Sequence, residues 1–247
     1  MEGADRRAGG AHRRVTPERA RRIRAVLDRR QPDLRIVTDS VHKGHNLSAI
    51  VRSCDAFGVL HMHAVVDDAD FRAFRSTAMG SQRWVEIARH PDIGAALQPL
   101  RAEGYQIVVA HLDEHAVDFR SVDFTRPTAI LMGAEKRGPS QAGLELADVA
   151  VTIPMVGMVA SFNVSVAAAI LLAEAHRQRD AAGFYARRRL DESTYRRLFF
   201  EWGEPRLAAY CRRHGLAYPE LEPETGDLLD PDWFADVRRR QAGSASV

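Results

Sequence analysis

Apolar residues change their period along this chain, and the changes mark its elements. Between Leu34 and Pro154 short apolar runs alternate with segments whose apolar positions recur three and four apart. "LRIVTDS", "VLHMHAVV", "WVEIA", "YQIVVAHL", "TAILMG" and "VAVTIP" are short and mostly rich in Val and Ile, as strands are. Between them "NLSAIVRSCDAF", stopped by Gly58, "IGAALQPLRAEG" and a short piece around "QAGLELA" carry helical spacing. Strand and helix in regular alternation predict an α/β fold: a mainly parallel sheet with helices on both faces.

The flanks read differently. "TPERARRIRAVLDRR" predicts a basic helix within 15–33, with Thr16 as cap, Pro17 at the first helical position, and Ile23, Val26 and Leu27 as a narrow apolar stripe. After Arg189 the alternation stops. "DESTYRRLFFEWGEPRLAAYCRRHG" predicts two helices broken near Gly203 and Pro205, followed by a Pro-bearing acidic segment with one more short helix. The expected organisation is a loose tail over 1–14, the basic helix, an α/β domain over 34–189 and a helical extension over 190–247.

Two helices begin with more polar side chains than a cap needs. "SFNVSVAAAILLAEAHRQR" (161–179) places Ser161, Asn163 and Ser165 ahead of the most apolar helical run. One cap uses one of them. The preceding "VTIPMVGMVA" delivers a strand's carboxyl end to this point, where ligands collect in open α/β proteins. In "NLSAIVRSCDAFG", Asn46 stands at the cap position and Leu47, Ile50, Val51, Cys54 and Phe57 share an apolar face. Ser48, Arg52 and Asp55 share the other face, where Arg52 and Asp55 are spaced to pair.

Composition limits the function classes. With 45% apolar and 28% charged residues the chain reads as soluble and globular. Its longest apolar run, "VAAAILLA" (166–173), falls short of the roughly 20 residues of a membrane span. With no apolar leader near the Arg-rich start, the expected location is cytoplasmic. Cys54 and Cys211 form no disulfide framework, which suits a reducing compartment.

Charge is uneven although the net is only +2. Residues 1–35 hold eleven Arg against five acids, 176–189 hold five Arg against one, and 190–247 hold eight Arg against eleven acids. Arg-rich flanks around a near-neutral middle favour a phosphate-bearing partner such as nucleic acid. Lysine occurs only at 43 and 136.

Several motifs fail on inspection. "GAEKRGPS" (133–140) has P-loop spacing but carries Pro139 where the phosphate-binding Lys belongs. "HLDEH" (111–115) straddles a strand end, so its His residues cannot share a helix face around zinc. His61 and His63 share a strand face without a third ligand, and no metal is expected. No G-x-G-x-x-G follows a strand.

Three segments carry a joint pattern: "NLSAIVRSCDAFG" (46–58), "LMGAEKRGPS" (131–140) and "IPMVGMVASFNVSVAAA" (153–169). In order and spacing they resemble the three motifs of the SpoU family of RNA ribose 2′-O-methyltransferases, within the SPOUT superfamily. The likeness runs from about residue 16 to 190, and "FFEWGEPRLAAYCRRHGLAYP" is similar to the tail of longer bacterial members. It implies a C-terminal deep trefoil knot at about 128–180, S-adenosyl-L-methionine as cofactor, and a homodimer whose active site draws on both chains. The implied substrate is tRNA, methylated on the ribose 2′-OH of guanosine 18 in the D-loop. Another tRNA position, an rRNA, or an RNA-binding module without catalysis are the alternatives.

Carried over by motif, the resemblance assigns Asn46 and Arg52 to the first, Glu135 to the second, and Ser161 and Asn163 to the third, all catalytic. Gly133, Ile153, Met155 and Phe162 fall at cofactor-cupping positions, with Phe162 replacing the usual Leu of S-L-N. Ala110 stands at a cofactor-contacting position that often bears a hydroxyl. Arg19, Arg22, Arg177, Arg179, Arg187 and Arg189 match basic positions that face RNA. Arg52 is expected to hold a phosphate and stabilise the developing alkoxide, since a guanidinium is permanently charged.

Overall fold

A computed structural model describes residues 15–66 and 83–244. Its central strands are β1 (Gln31–Asp39), β2 (Val59–Val65), β3 (Glu86–His90), β4 (Gln106–Ala110), β5 (Val117–Asp118), β6 (Thr128–Met132) and β7 (Val149–Thr152). They form one sheet in the order β3-β2-β1-β6-β4-β7-β5, and every described pairing is parallel. Successive side chains of a strand point to opposite faces, and here both faces are covered. Ile36, Val108 and Ile130 enter one hydrophobic core, while their neighbours Val37, Val109 and Leu131 enter the other.

Helices supply the covers. α2 (Gly44–Ala56) and α5 (Val164–Ala181) pack together over the first core, bringing Leu47, Ile50, Leu171 and Leu172 to it. α3 (Ile93–Ala102) and α4 (Gln141–Leu146) cover the second, which takes Leu97 and Leu100. The chain divides into two compact units. One spans Asp28–Leu190 and contains the sheet; the other joins the segment through Leu27 with the chain from Asp191. In the second unit α1 (Pro17–Leu27) packs on α6 (Glu192–Gly203), and α7 (Pro205–His214) and α8 (Trp233–Ser244) follow. The Val15 amide donates to the Glu204 carboxylate there, at 3.0 Å, and an Arg19 guanidinium nitrogen to the Trp202 carbonyl, also at 3.0 Å.

Two local expectations are corrected. β1 starts at Gln31, earlier than its apolar run, because Pro32 and Asp33 hide the start and a register shift separates Gln31 from Arg35. Asn46 does not cap α2: Lys43 is the N-cap residue, and Asn46 is buried in the first turn. Asp55 pairs with the fully buried Arg30, a partner that local spacing did not suggest. His63 lies against His90 with ring nitrogens 2.9 Å apart, and a guanidinium nitrogen of Arg35 lies 3.2 Å from its other nitrogen. Burial first, then the charge of Arg35, pushes His63 down to about 4, so it is neutral at pH 7.

Candidate active site

The carboxyl ends of β4, β6 and β7 open onto one cavity of about 250 Å³. Each strand is followed by a loop that forms a wall, as parallel sheets place their ligands. Behind β4 come Ala110, His111 and Leu112; behind β6 come Gly133, Ala134 and Glu135; behind β7 come Ile153, Met155 and the stretch Ala160–Phe162. Val164 and Ala167 of α5 close the floor.

The β6 loop folds back on itself. Ala134 and Gly138 exchange backbone hydrogen bonds of 3.0 and 2.8 Å, making a tight hairpin over Glu135, Lys136 and Arg137. Gly138 turns it with a φ of +70°, which favours glycine. Gly133 has a different reason to be glycine: a Cβ there would lie 2.0 Å from the Pro139 nitrogen. The "GAEKRGPS" spacing therefore encodes a hairpin pressed against its own strand, with Pro139 buried where a P-loop would expose amides. Gly133→Ala must push the hairpin away from the cavity. Overpacking typically costs about 1–3 kcal/mol, so ligand affinity is expected to fall about ten-fold or more, as calorimetric titration would read, with the far-UV spectrum retained. Unchanged affinity would mean that the hairpin is not part of the binding wall.

A chain of side-chain hydrogen bonds joins the three sequence motifs. Asn163 caps α5: its Oδ1 accepts from the Ser165 amide at 2.9 Å and from the Ser165 hydroxyl at 2.6 Å. Its Nδ2 donates to Asn46 Oδ1 at 3.2 Å, and Asn46 Nδ2 in turn donates to the Glu135 carboxylate. Asn163 thus caps α5 and also bonds across to α2. The buried Asn46, 2% exposed, is held from both sides. The chain fixes the β6 hairpin relative to the starts of α2 and α5.

The positions expected to cup a cofactor, Ala110, Gly133, Ile153, Met155 and Phe162, all line this cavity, as do Glu135 and Ser161. Asn46 and Asn163 stand behind it. Arg52 is exposed, lies about two turns further along α2 and does not line the cavity. His111, Thr152 and Pro139 also line it, and sequence reasoning did not select them. For Pro139 the signal was present in the glycine spacing before it.

The expected RNA-facing arginines separate. Arg22 and Arg187 are exposed, Arg177 is exposed but paired with Glu174 at 2.7 Å, and Arg19 holds the Trp202 carbonyl. Arg179 is corrected: it is fully buried. It donates to Asp33 Oδ1 at 2.6 Å, Gln31 Oε1 at 3.2 Å, and the carbonyls of Phe124 at 2.8 Å and Arg126 at 3.0 Å. Arg189 is half-buried and grips both Asp33 oxygens at 2.8 and 2.9 Å. Burial alone would raise the Asp33 carboxyl; Arg179 and Arg189 outweigh it and hold the group below its usual range.

A profile of the SpoU rRNA Methylase family matches residues 33–173, and one of the C-terminal SpoU rRNA methylase region matches 177–231. The chain belongs to the SpoU methylase family. Within it, the tRNA (guanosine(18)-2′-O)-methyltransferase of Escherichia coli K12 is 48% identical over 226 residues, covering 91% of this chain and 99% of that protein. The protein of that name from Thermus thermophilus is 52% identical, covering 77% and 98%. The crystal structure of the A. aeolicus TrmH/SpoU tRNA modifying enzyme superposes with a TM-score of 0.72 at 39% identity, covering 77% of this chain and 97% of that one. The SpoU methyltransferase AviRb of Streptomyces viridochromogenes, solved with AdoMet, gives 0.53 at 32% identity, covering 62% and 59%.

Proposed function

We propose that this SpoU-family chain is an S-adenosylmethionine-dependent tRNA methyltransferase acting on the ribose 2′-OH of guanosine 18. The observation that carries the reading is the Asn163–Asn46–Glu135 chain beside a cavity lined by every expected cofactor-contacting residue. The relatives' names, over 91% and 77% of the chain, supply the substrate and position.

The cavity fits the cofactor's chemistry. Met132, Ile153, Met155, Phe162 and Val164 offer apolar surface to a purine, and Gly133 and Gly138 let backbone approach closely. When bound, S-adenosylmethionine supplies an electrophilic methyl on sulfur. The chain's own residues then position and stabilise. Glu135, fixed by Asn46, holds the hairpin and offers a carboxylate on the wall that meets the cationic ligand. Ser161, which lines the cavity, would lie close to the methyl. Arg52 receives the RNA phosphate and stabilises the oxygen as its proton leaves. The ribose oxygen would take up the methyl that the sulfonium gives up as a neutral thioether, its own proton passing to solvent or an RNA phosphate.

Several further features belong to this reading. The knot at about 128–180 is supported by connectivity: β7 lies near one end of the sheet, yet α5 after it packs on α2, so the chain returns past β4 and β6. A homodimer is supported by the exposed apolar run Val156, Met158, Val159, Phe162 and Val166, a face suited to a second copy. The domain over 34–189 would do the chemistry, with the basic helix of 15–33 and the extension from 190 gripping RNA or extending the dimer. A cytoplasmic enzyme suits a tRNA substrate, and no helix among the described residues is long and apolar enough to cross a membrane.

The deciding experiment incubates the protein with labelled S-adenosylmethionine and unmodified tRNA, then maps the modified nucleotide. The expected product is a single 2′-O-methyl group at guanosine 18. Incorporation elsewhere, or into rRNA alone, would replace the substrate; none at all, with RNA still bound, would leave a binding module.

A further inference from the structure

The β6 hairpin has a second cavity against it, of about 540 Å³, which shares Ala134, Glu135, Gly138 and Pro139 with the first. Its other lining comes from the end of β1 and the start of α2, and it carries Lys43, Lys136 and Arg137 together with His42. Lys43 and Lys136 are the only lysines in a chain of 33 arginines, and they meet here from positions 93 residues apart. That convergence is a product of folding and is invisible to local charge runs.

Many arginines among the described residues are held in ion pairs. Arg24, Arg177, Arg189, Arg196, Arg197 and Arg212 each have a carboxylate partner. Among the described residues, no carboxylate holds Lys43, Lys136 or Arg137 in an ion pair. The two acids that line the cavity are occupied instead. Asp39 accepts from the Ser140 amide at 2.8 Å and from the Ser40 hydroxyl at 3.2 Å, and Glu135 accepts from Asn46. Two lysines, an arginine and a histidine around a concave surface suit a polyanion, and lysine is a compact donor to phosphate oxygens. Ser40 and His42 also line an adjoining cavity with Arg89 and His90, which prolongs the basic surface toward β3.

We propose that the cavity lined by Lys43, Lys136 and Arg137 is a phosphate subsite that seats a phosphodiester group of the substrate RNA. The inference rests on the RNA-methyltransferase reading and deepens it. A phosphate held there lies across one hairpin from the cofactor cavity, so the neighbouring ribose is brought to the wall that carries Glu135. The same wall that cups the cofactor thereby sets the register of the RNA backbone, and sequence is left to be read elsewhere.

The test is tRNA binding by the full chain as a function of salt. Each lost phosphate contact reduces the slope of log K against log salt by about 0.7 to 0.9. Lys43→Gln, Lys136→Gln and Arg137→Gln are each expected to show that reduction with several-fold weaker binding, and Lys43→Arg with Lys136→Arg to keep the wild-type slope. Labelled S-adenosylmethionine binding within two-fold of wild type serves as the fold control. Wild-type slopes in all three Gln variants would overturn the subsite, even if the protein methylates tRNA normally. Reduced slopes in the Gln variants, where the wild-type protein itself transfers no methyl to tRNA, would instead keep the subsite and overturn the proposed activity.

Discussion

Replacing Arg52 by Lys is expected to lower the single-turnover methyl-transfer rate by about 10²–10³, the usual loss when one preorganised donor to a developing oxyanion is removed. Cofactor binding should be unaffected, because Arg52 does not line the cofactor cavity. The lysine keeps the charge but gives up the planar fork that can hold a phosphate oxygen and the attacking oxygen together. A near-normal rate in this variant would exclude the bidentate role. The position is well supported for such work: α2 is anchored at its first turn through Asn46, and its apolar face is buried at Leu47, Ile50, Val51 and Cys54. Ile50, Val51 and Cys54 are fully buried, so that face of the helix is packed and presents Arg52 from the opposite side.

Asp33→Ala should be the most destabilising single change among those considered. It leaves Arg179 buried and uncompensated, a loss that typically costs about 3–5 kcal/mol, read as a lower urea midpoint at pH 7. Arg179→Gln should also destabilise, whereas Arg177→Gln should shift stability by less than about 0.5 kcal/mol, as exposed positions do. If Arg179→Gln weakened tRNA binding while leaving the midpoint unchanged, the assignment of Arg179 to the interior would fail. The pH dependence has a definite sign. Asp33 is held below its unfolded value, so its contribution is complete above about pH 4, where the unfolded carboxyl is ionised, and is lost as acid protonates the folded form. Guanidiniums do not titrate in this range, so the Asp33→Ala variant should lose less stability than wild type on going below pH 4.

Arg179 also shows why a linear reading misplaced one residue. It sits in "EAHRQRD", where alternate positions look equally polar, and the sequence offers no sign that one arginine turns inward. Its partners are Asp33 and Gln31, roughly 150 positions away, and carbonyls of a loop before β6. The same holds for Asn46. A polar residue at a helix start looks like a cap, and only the arrival of the β6 hairpin and α5 makes it a bridge. Arg30 and Asp55, too, find each other through packing of β1 and α2.

What the sequence determined by itself is the set of features that short-range physics controls. Short apolar runs marked six of the seven strands, leaving out the two-residue β5, three-four spacing marked the helices, and their alternation implied a parallel sheet with both faces covered. The resemblance of three motifs to a known family, beyond anything their spacing alone shows, pointed to Gly133, Glu135, Ile153, Met155, Ser161 and Phe162, which line the cavity. Tertiary structure decided which polar groups pair. It chose which arginines are interior, joined Asn163 to Glu135 through Asn46, and brought the only two lysines to one cavity. Those outcomes depend on distances between residues far apart in the chain, and a buried charge or amide is settled only when its distant partner is in place.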